Sequence, residues 1–175
     1  VTTYFYRIKK WQALAIALSS VLLLWYLFCL PRNLFPNAEY STVVTDCNGE
    51  LLGARIAKDG QWRFRMEEDD AGREKYYTAL IEFEDRWFRW HPGVNPVSIC
   101  NALISNIKAG HIVSGGSTIS MQVIRMSRNK ERSLKQKLVE AILATRLELR
   151  YSKDEILRLY AGNAPFGGNV IGLDA

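Results

Sequence analysis

The chain has 175 residues, 48% hydrophobic and 23% charged, with a net charge of +5, which allows one globular domain once any membrane segment is set aside. Its three cysteines, Cys29, Cys47 and Cys100, are too few and too scattered for a disulfide framework or a zinc site. The modest charge excludes little by itself, but its distribution is uneven: Arg125 to Arg158 carries ten Lys or Arg against five Asp or Glu, a surface suited to an anionic partner such as phosphate or lipid headgroups.

In chain order, the uncharged run Trp11 to Leu30 (WQALAIALSSVLLLWYLFCL) has the length a helix needs to cross the hydrocarbon core and predicts a transmembrane anchor. It exceeds the apolar run of a cleaved signal, and no small-x-small pattern follows it. Arg7, Lys9 and Lys10 precede it against Arg32 after it, so residues 1–10 are expected as a cytoplasmic tail and everything from Pro31 onward outside the cytoplasm. That compartment excludes nucleic acid as a partner. Residues 31–66 read as a proline-bearing linker and a β-hairpin, because STVVTDCNGELLGARIA alternates apolar and polar residues around Asn48-Gly49. The remainder, 67–175, reads as a mostly helical domain.

Within that domain, the acidic cluster Glu67 to Asp70 leads into a helix through Glu84. Asn95-Pro96 is an N-cap followed by proline at the first helical position, with Ile99, Leu103, Ile104 and Ile107 as the apolar stripe, Cys100 as a small core residue and Gly110 as the stop. Gly115-Gly116-Ser117-Thr118 opens a helix to about Ser127. A long helix follows over Ser133 to Arg150, with Leu134, Leu138, Ala141, Ile142, Thr145 and Leu149 in one stripe. Ser152 and Glu155 form a capping box for a short helix ending near Gly162.

The densest cluster of chemistry is EDRWFRWHPGVN, Glu84 to Asn95. If Tyr77, Leu80, Ile81 and Glu84 share a helical face, a carboxylate closes an apolar stripe, where a glutamate can serve as general acid or base. The competing stripe Tyr76, Leu80, Phe83 and Trp87 leaves Glu84 at its edge. Asp85 and Arg86 read equally well as a solvated ion pair, and His91 before Pro92-Gly93 as a turn-stabilising hydrogen bonder. In GGSTISMQ, glycines that admit close approach precede Ser117 and Thr118 at a helix start, where free N–H groups favour anions; the same pattern also describes an ordinary capped helix. In RSLKQKLVE, Lys137 and Glu140 are i, i+3 neighbours, compatible with a surface salt bridge.

EDRWFRWHPGVN, GGSTISMQ, RSLKQKLVE and KDEILRLY, in this order, resemble the first four motifs of the peptidoglycan glycosyltransferases (glycosyltransferase family 51), found in class A penicillin-binding proteins and monofunctional transglycosylases. Met121 and APFGG at Ala164 to Gly168 resemble the penicillin-binding protein 1C branch. The resemblance implies a mainly α, lysozyme-like domain beside the inner membrane that polymerises lipid II into β-1,4-linked glycan with inversion, releasing undecaprenyl pyrophosphate. Carried over residue by residue, it makes Glu84 the base and Glu140 a second catalytic carboxylate, orienting the basic cluster or holding a divalent cation such as Mg or Mn; no organic cofactor is implied. Arg125, Arg132 and Lys137 match the family's basic positions, and Ser117, Thr118 and Gln122 the lining of the cleft. Expected partners are lipid II, the growing glycan chain, the membrane and other cell-wall synthesis proteins.

Gln136 stands where the family has arginine, Ala161-Gly162 stands where it has leucine-asparagine, and the chain stops ahead of the fifth motif. The domain is therefore expected to be C-terminally incomplete, and the fragment inactive if the missing part is essential. Two other functions fit parts of the pattern: a lytic, lysozyme-like enzyme using one glutamate as general acid, and a non-catalytic membrane scaffold that binds lipid II.

Overall fold

The computed structural model describes residues 2–66 and 72–175, with side chains from residue 10 onward. The chain divides into two compact units, Val1–Asn33 and Leu34–Ala175. The first holds helix α1, Thr2–Phe28, whose stretch Lys10–Phe28 is long and apolar enough to cross a membrane. The helix stops two residues short of the expected Leu30, because Pro31 disfavours helical backbone in the residue before it.

The second unit is mainly α. It begins with the predicted hairpin, β1 (Thr42–Thr45) antiparallel to β2 (Leu51–Arg55), with Thr42 opposite Arg55 and Val43 opposite Ala54. Asp46 closes its turn, one carboxylate oxygen accepting the Asn48 and Glu50 N–H groups at 2.8 Å each. The acidic cluster expected next falls in residues 67–71, outside the described residues. Five helices follow: α2 (Glu74–Glu84), α3 (Pro96–Ala109), α4 (Ile119–Arg128), α5 (Leu134–Glu148) and α6 (Lys153–Asn163). The four from α3 onward each begin at a side-chain cap, two of which, Asn95 and the Ser152–Glu155 box, the sequence predicts as such. Asn95 accepts from Ser98 N–H, Thr118 from Met121 N–H and Ser133 from Gln136 N–H, and Ser152 with Glu155 completes the capping box.

The core forms where α4 packs on α5 and α6. Ile119, Met121, Val123 and Ile124 are buried against Leu143, Ala144 and Leu147 of α5 and Ile156, Leu157 and Ala161 of α6, with Phe88 closing one end. Burial of Met121 explains why an apolar side chain is accepted there. The expected stripes of α3 and α5 are not the buried ones. On α3 the buried residue is Ala102, while Ile99, Leu103, Ile104 and Ile107 are exposed, and so is Cys100. On α5 the buried face is Glu140, Leu143, Ala144 and Leu147; Leu134, Leu138, Ile142 and Leu149 face outward. Each helix is apolar on more than one side, so periodicity finds a helix without saying which face the core takes. On α2 the stripe through Phe83 and Trp87 is likewise refuted, since both are exposed while Leu80 is buried.

The glycine-rich end makes a second hairpin of β3 (Pro165–Gly167) and β4 (Val170–Ile171). Trp62 joins its edge, donating to Asn169 O at 2.7 Å and accepting from Ile171 N–H at 2.9 Å. Leu173 N–H reaches Ala161 O at 2.8 Å, and Ala161 is fully buried. A small residue at this turn of α6 thus lets the returning chain lie against the helix.

Candidate active site

Helix α2 ends at Glu84, and Asp85, its C-cap at φ −161° and ψ 74°, turns its side chain inward. Asp85 is buried, not a solvated partner of Arg86, which pairs with Glu82 at 3.0 Å. One Asp85 oxygen accepts the Ile119 N–H at 3.2 Å, placing an anion on the first turn of α4 where the helix dipole favours it. His91 Nε2 lies 2.9 and 3.0 Å from the Asp85 oxygens, so His91 ties the segment together, as its place before Pro92-Gly93 implies. Thr118 Oγ1 donates to Gly93 O at 2.6 Å. Gly93 has φ +90°, and a Cβ there would lie 2.5 Å from the Ala144 carbonyl oxygen, so only glycine brings this turn onto α5. Lys153 of α6 donates to His91 O at 2.7 Å and pairs with buried Glu148 at 2.7 Å. The segment that carries Glu84 is thus anchored to α4, α5 and α6.

Beside it opens a cleft of about 490 Å³, lined among others by Glu84, Asn101, Ser117, Thr118, Gln122 and Arg125. Its outer wall is α3 and the connection to α4. Asn106 holds that connection, accepting from Val113 and Ser114 N–H at 2.8 and 2.9 Å. Gly116, at φ +51°, packs so closely on α3 that a Cβ would come within 2.9 Å of Ser98 O.

Two carboxylates belong to this region, and their partners differ in kind. Glu84 Oε2 accepts from Gln122 Nε2 at 2.7 Å, and Tyr160 Oη donates to Gln122 Oε1 at 3.4 Å. Burial first, then the negative charge of Glu84, then Tyr76 push the Tyr160 phenol up to about 12. Burial and the same charge also raise Tyr76. Glu140, by contrast, is buried against the Arg125 guanidinium: Nε and Nη2 reach one oxygen at 3.1 and 2.9 Å, and Nε lies 3.3 Å from the other. Arg125 Nη2 also donates to Ser117 Oγ at 3.1 Å.

Of the residues singled out in the sequence, Glu84, Ser117, Thr118, Gln122 and Arg125 line one cleft, with Glu140 behind Arg125. Thr118 is buried, its hydroxyl engaged by Gly93 and Met121. Lys137 does not pair with Glu140; its ammonium reaches Gly115 O, beside the glycines of the cleft. Arg132 is exposed on the connection between α4 and α5 and does not line the cleft. The sequence reading missed Tyr160 and Tyr76, since an aromatic at the edge of a buried helical face looks like any other core residue. It also missed Asp85 as an internal tie. The signal for Tyr160 was there, because KDEILRLY ends on it.

A divalent cation at Glu140 does not fit the donor set. Arg125 occupies both oxygens of Glu140, and among the described residues no group of three His, Cys, Asp or Glu could hold a metal.

In this mainly α unit one cleft thus holds a carboxylate bonded to a neutral amide and, on its lining, a guanidinium. The chain belongs to the transglycosylase family, whose model matches residues 49–175. It is 43% identical to penicillin-binding protein 1C of Escherichia coli (strain K12) over 133 residues, covering 76% of this chain and 17% of that protein. It is 39% identical to penicillin-binding protein 1A of Aquifex aeolicus (strain VF5) over 133 residues, 75% of this chain and 18% of that one. Over 174 residues it is 30% identical to a biosynthetic peptidoglycan transglycosylase of Alcanivorax borkumensis, covering 99% of this chain and 67% of the relative. The chain spans about a sixth of the length of the two penicillin-binding proteins.

Proposed function

We propose that the chain is a membrane-anchored peptidoglycan glycosyltransferase that polymerises lipid II with Glu84 as base. The observation that carries this is the Glu84 carboxylate, held through one oxygen by Gln122 in a cleft that also contains the Arg125 guanidinium. Family membership supports the reaction class, and the resemblance of the motifs supports the residue roles.

In this mechanism the free oxygen of Glu84 takes the proton from the 4-hydroxyl of the acceptor sugar. The hydroxyl oxygen then attacks the anomeric carbon of the donor chain. As the new C–O bond forms on one face, the bond to the pyrophosphate breaks on the other and its electron pair leaves with undecaprenyl pyrophosphate, giving inversion. Charge on that leaving group calls for fixed cations. Arg125, held in place by Glu140 and Ser117, supplies one at the cleft; Lys137 and Arg132 extend the basic surface from α5 and its approach.

Helix α1 serves as a single membrane span with the N-terminus cytoplasmic, supported by its apolar length and by the basic residues ahead of it. The exposed Ile104, Ile107, Ile112 and Val113 of α3 and its following connection suit contact with the bilayer surface that carries a lipid-linked substrate. The test is product analysis with lipid II in detergent. Polymer and released undecaprenyl pyrophosphate are expected, whereas muropeptides released from purified cell walls with no polymer would point to a lytic enzyme, and tight lipid II binding without either product to a scaffold.

A further inference from the structure

We infer that Tyr160 is a positioning residue for Glu84, acting through the side-chain amide of Gln122. The inference rests on the role proposed above for Glu84. Gln122 Nε2 donates to Glu84 Oε2 at 2.7 Å, and Tyr160 Oη donates to Gln122 Oε1 at 3.4 Å. Hydrogen-bond chemistry fixes the direction of this chain. An ionised carboxylate only accepts, so the amide must present its NH₂ to Glu84; its carbonyl oxygen then faces Tyr160, where a phenol can only donate. Reversing the amide would set its carbonyl against the carboxylate and leave the half-buried phenol facing an NH₂ group.

The consequence falls on the geometry of the base. Glu84 lies at the last residue of α2, and its carboxylate has no hydrogen bond other than that to Gln122 among the described residues. Its carboxyl plane is therefore set by Gln122 alone, and the rotamer of Gln122 by Tyr160. With Oε2 occupied, Oε1 is left as the oxygen that meets an acceptor hydroxyl. Gln122 sits on α4 and Tyr160 on α6, two helices packed on each other, so the base takes its orientation from the core and not from the open end of α2. The phenol is also suited to permanent donation. Held near 12 by burial and by the Glu84 charge, it keeps its proton across the whole working range of pH.

The experiment compares the full chain in detergent micelles with lipid II as wild type, Tyr160→Phe, Gln122→Ala and the double variant. Removing one neutral hydrogen bond from the chain predicts that Tyr160→Phe lowers kcat roughly five- to tenfold, with KM for lipid II and the unfolding temperature unchanged. Because Tyr160 acts through Gln122, the double variant should be no slower than Gln122→Ala alone. An unchanged kcat in Tyr160→Phe, or losses that multiply in the double variant, would overturn the inference while leaving the glycosyltransferase assignment intact. Absence of polymer from the wild type would count against that assignment, and the positioning role is then decided without turnover, by exchange of the Gln122 side-chain amide protons measured by NMR. Tyr160→Phe should speed that exchange about tenfold; equal exchange in the two proteins would refute the role.

Discussion

The two glutamates of the cleft region make an instructive pair. Glu84 is held by the Gln122 amide and has no ion pair among the described residues, whereas Glu140 is buried against a guanidinium that engages both of its oxygens. A carboxylate locked to a cation is a tether, because its oxygens are occupied and its charge is cancelled. A carboxylate oriented by neutral groups keeps an oxygen and a charge available for a proton. The same residue type thus stands in two different settings, one paired with a cation and one held by a neutral amide.

The contrast can be broken most forcefully on the tether side. Arg125→Met leaves Glu140 buried without its cation and should cost about 3 kcal/mol of stability, read by urea unfolding, while a second change, Glu140→Met, should restore most of it. A loss that the double variant fails to recover would mean that Arg125 matters to stability through something other than Glu140.

The Glu84 side depends on backbone placement more than on charge. Gly93→Ala drives a Cβ into the Ala144 carbonyl from a left-handed conformation and should cost roughly 2 kcal/mol, again by urea unfolding. It should also loosen the segment from Asp85 to Asn95, seen as faster amide exchange there than at Arg125.

A smaller effect is expected at the start of α6, the helix that carries Tyr160. Ser152→Ala removes half of the capping box and should lower stability by about 1 kcal/mol at pH 7. Glu155 is held below its ordinary 4.5 mainly by the Ser152 backbone N–H and then by its hydroxyl. A carboxyl lowered in the folded state adds stability above its unfolded value and loses it as pH falls through the folded one. The difference between wild type and Ser152→Ala should therefore shrink below about pH 4.5.

What could be read in the sequence was local. The caps at Asn95 and Ser152, and the helix starts at Thr118 and Ser133, stand where the sequence places them, because a cap joins a side chain to a backbone N–H two or three residues away. Burial is not local. Leu134 and Leu138 have the periodicity of a core stripe yet face outward, since Leu143 and Leu147 of the same helix meet α4 instead. The candidate site divides in the same way. Glu84, Gln122 and Arg125 could be named from ordered motifs, but the partnership of Glu140 with Arg125 instead of Lys137, the inward turn of Asp85 and the approach of Tyr160 to Gln122 depend on helices far apart in sequence coming together.

The most direct test of the account is glycan polymer and undecaprenyl pyrophosphate formed from lipid II by the wild type and by Glu84→Gln, at equal lipid II binding and equal unfolding temperature. Both products are expected from the wild type, with a loss of at least about a hundredfold in the variant; a Glu84→Gln protein that makes both as fast would contradict Glu84 as the base.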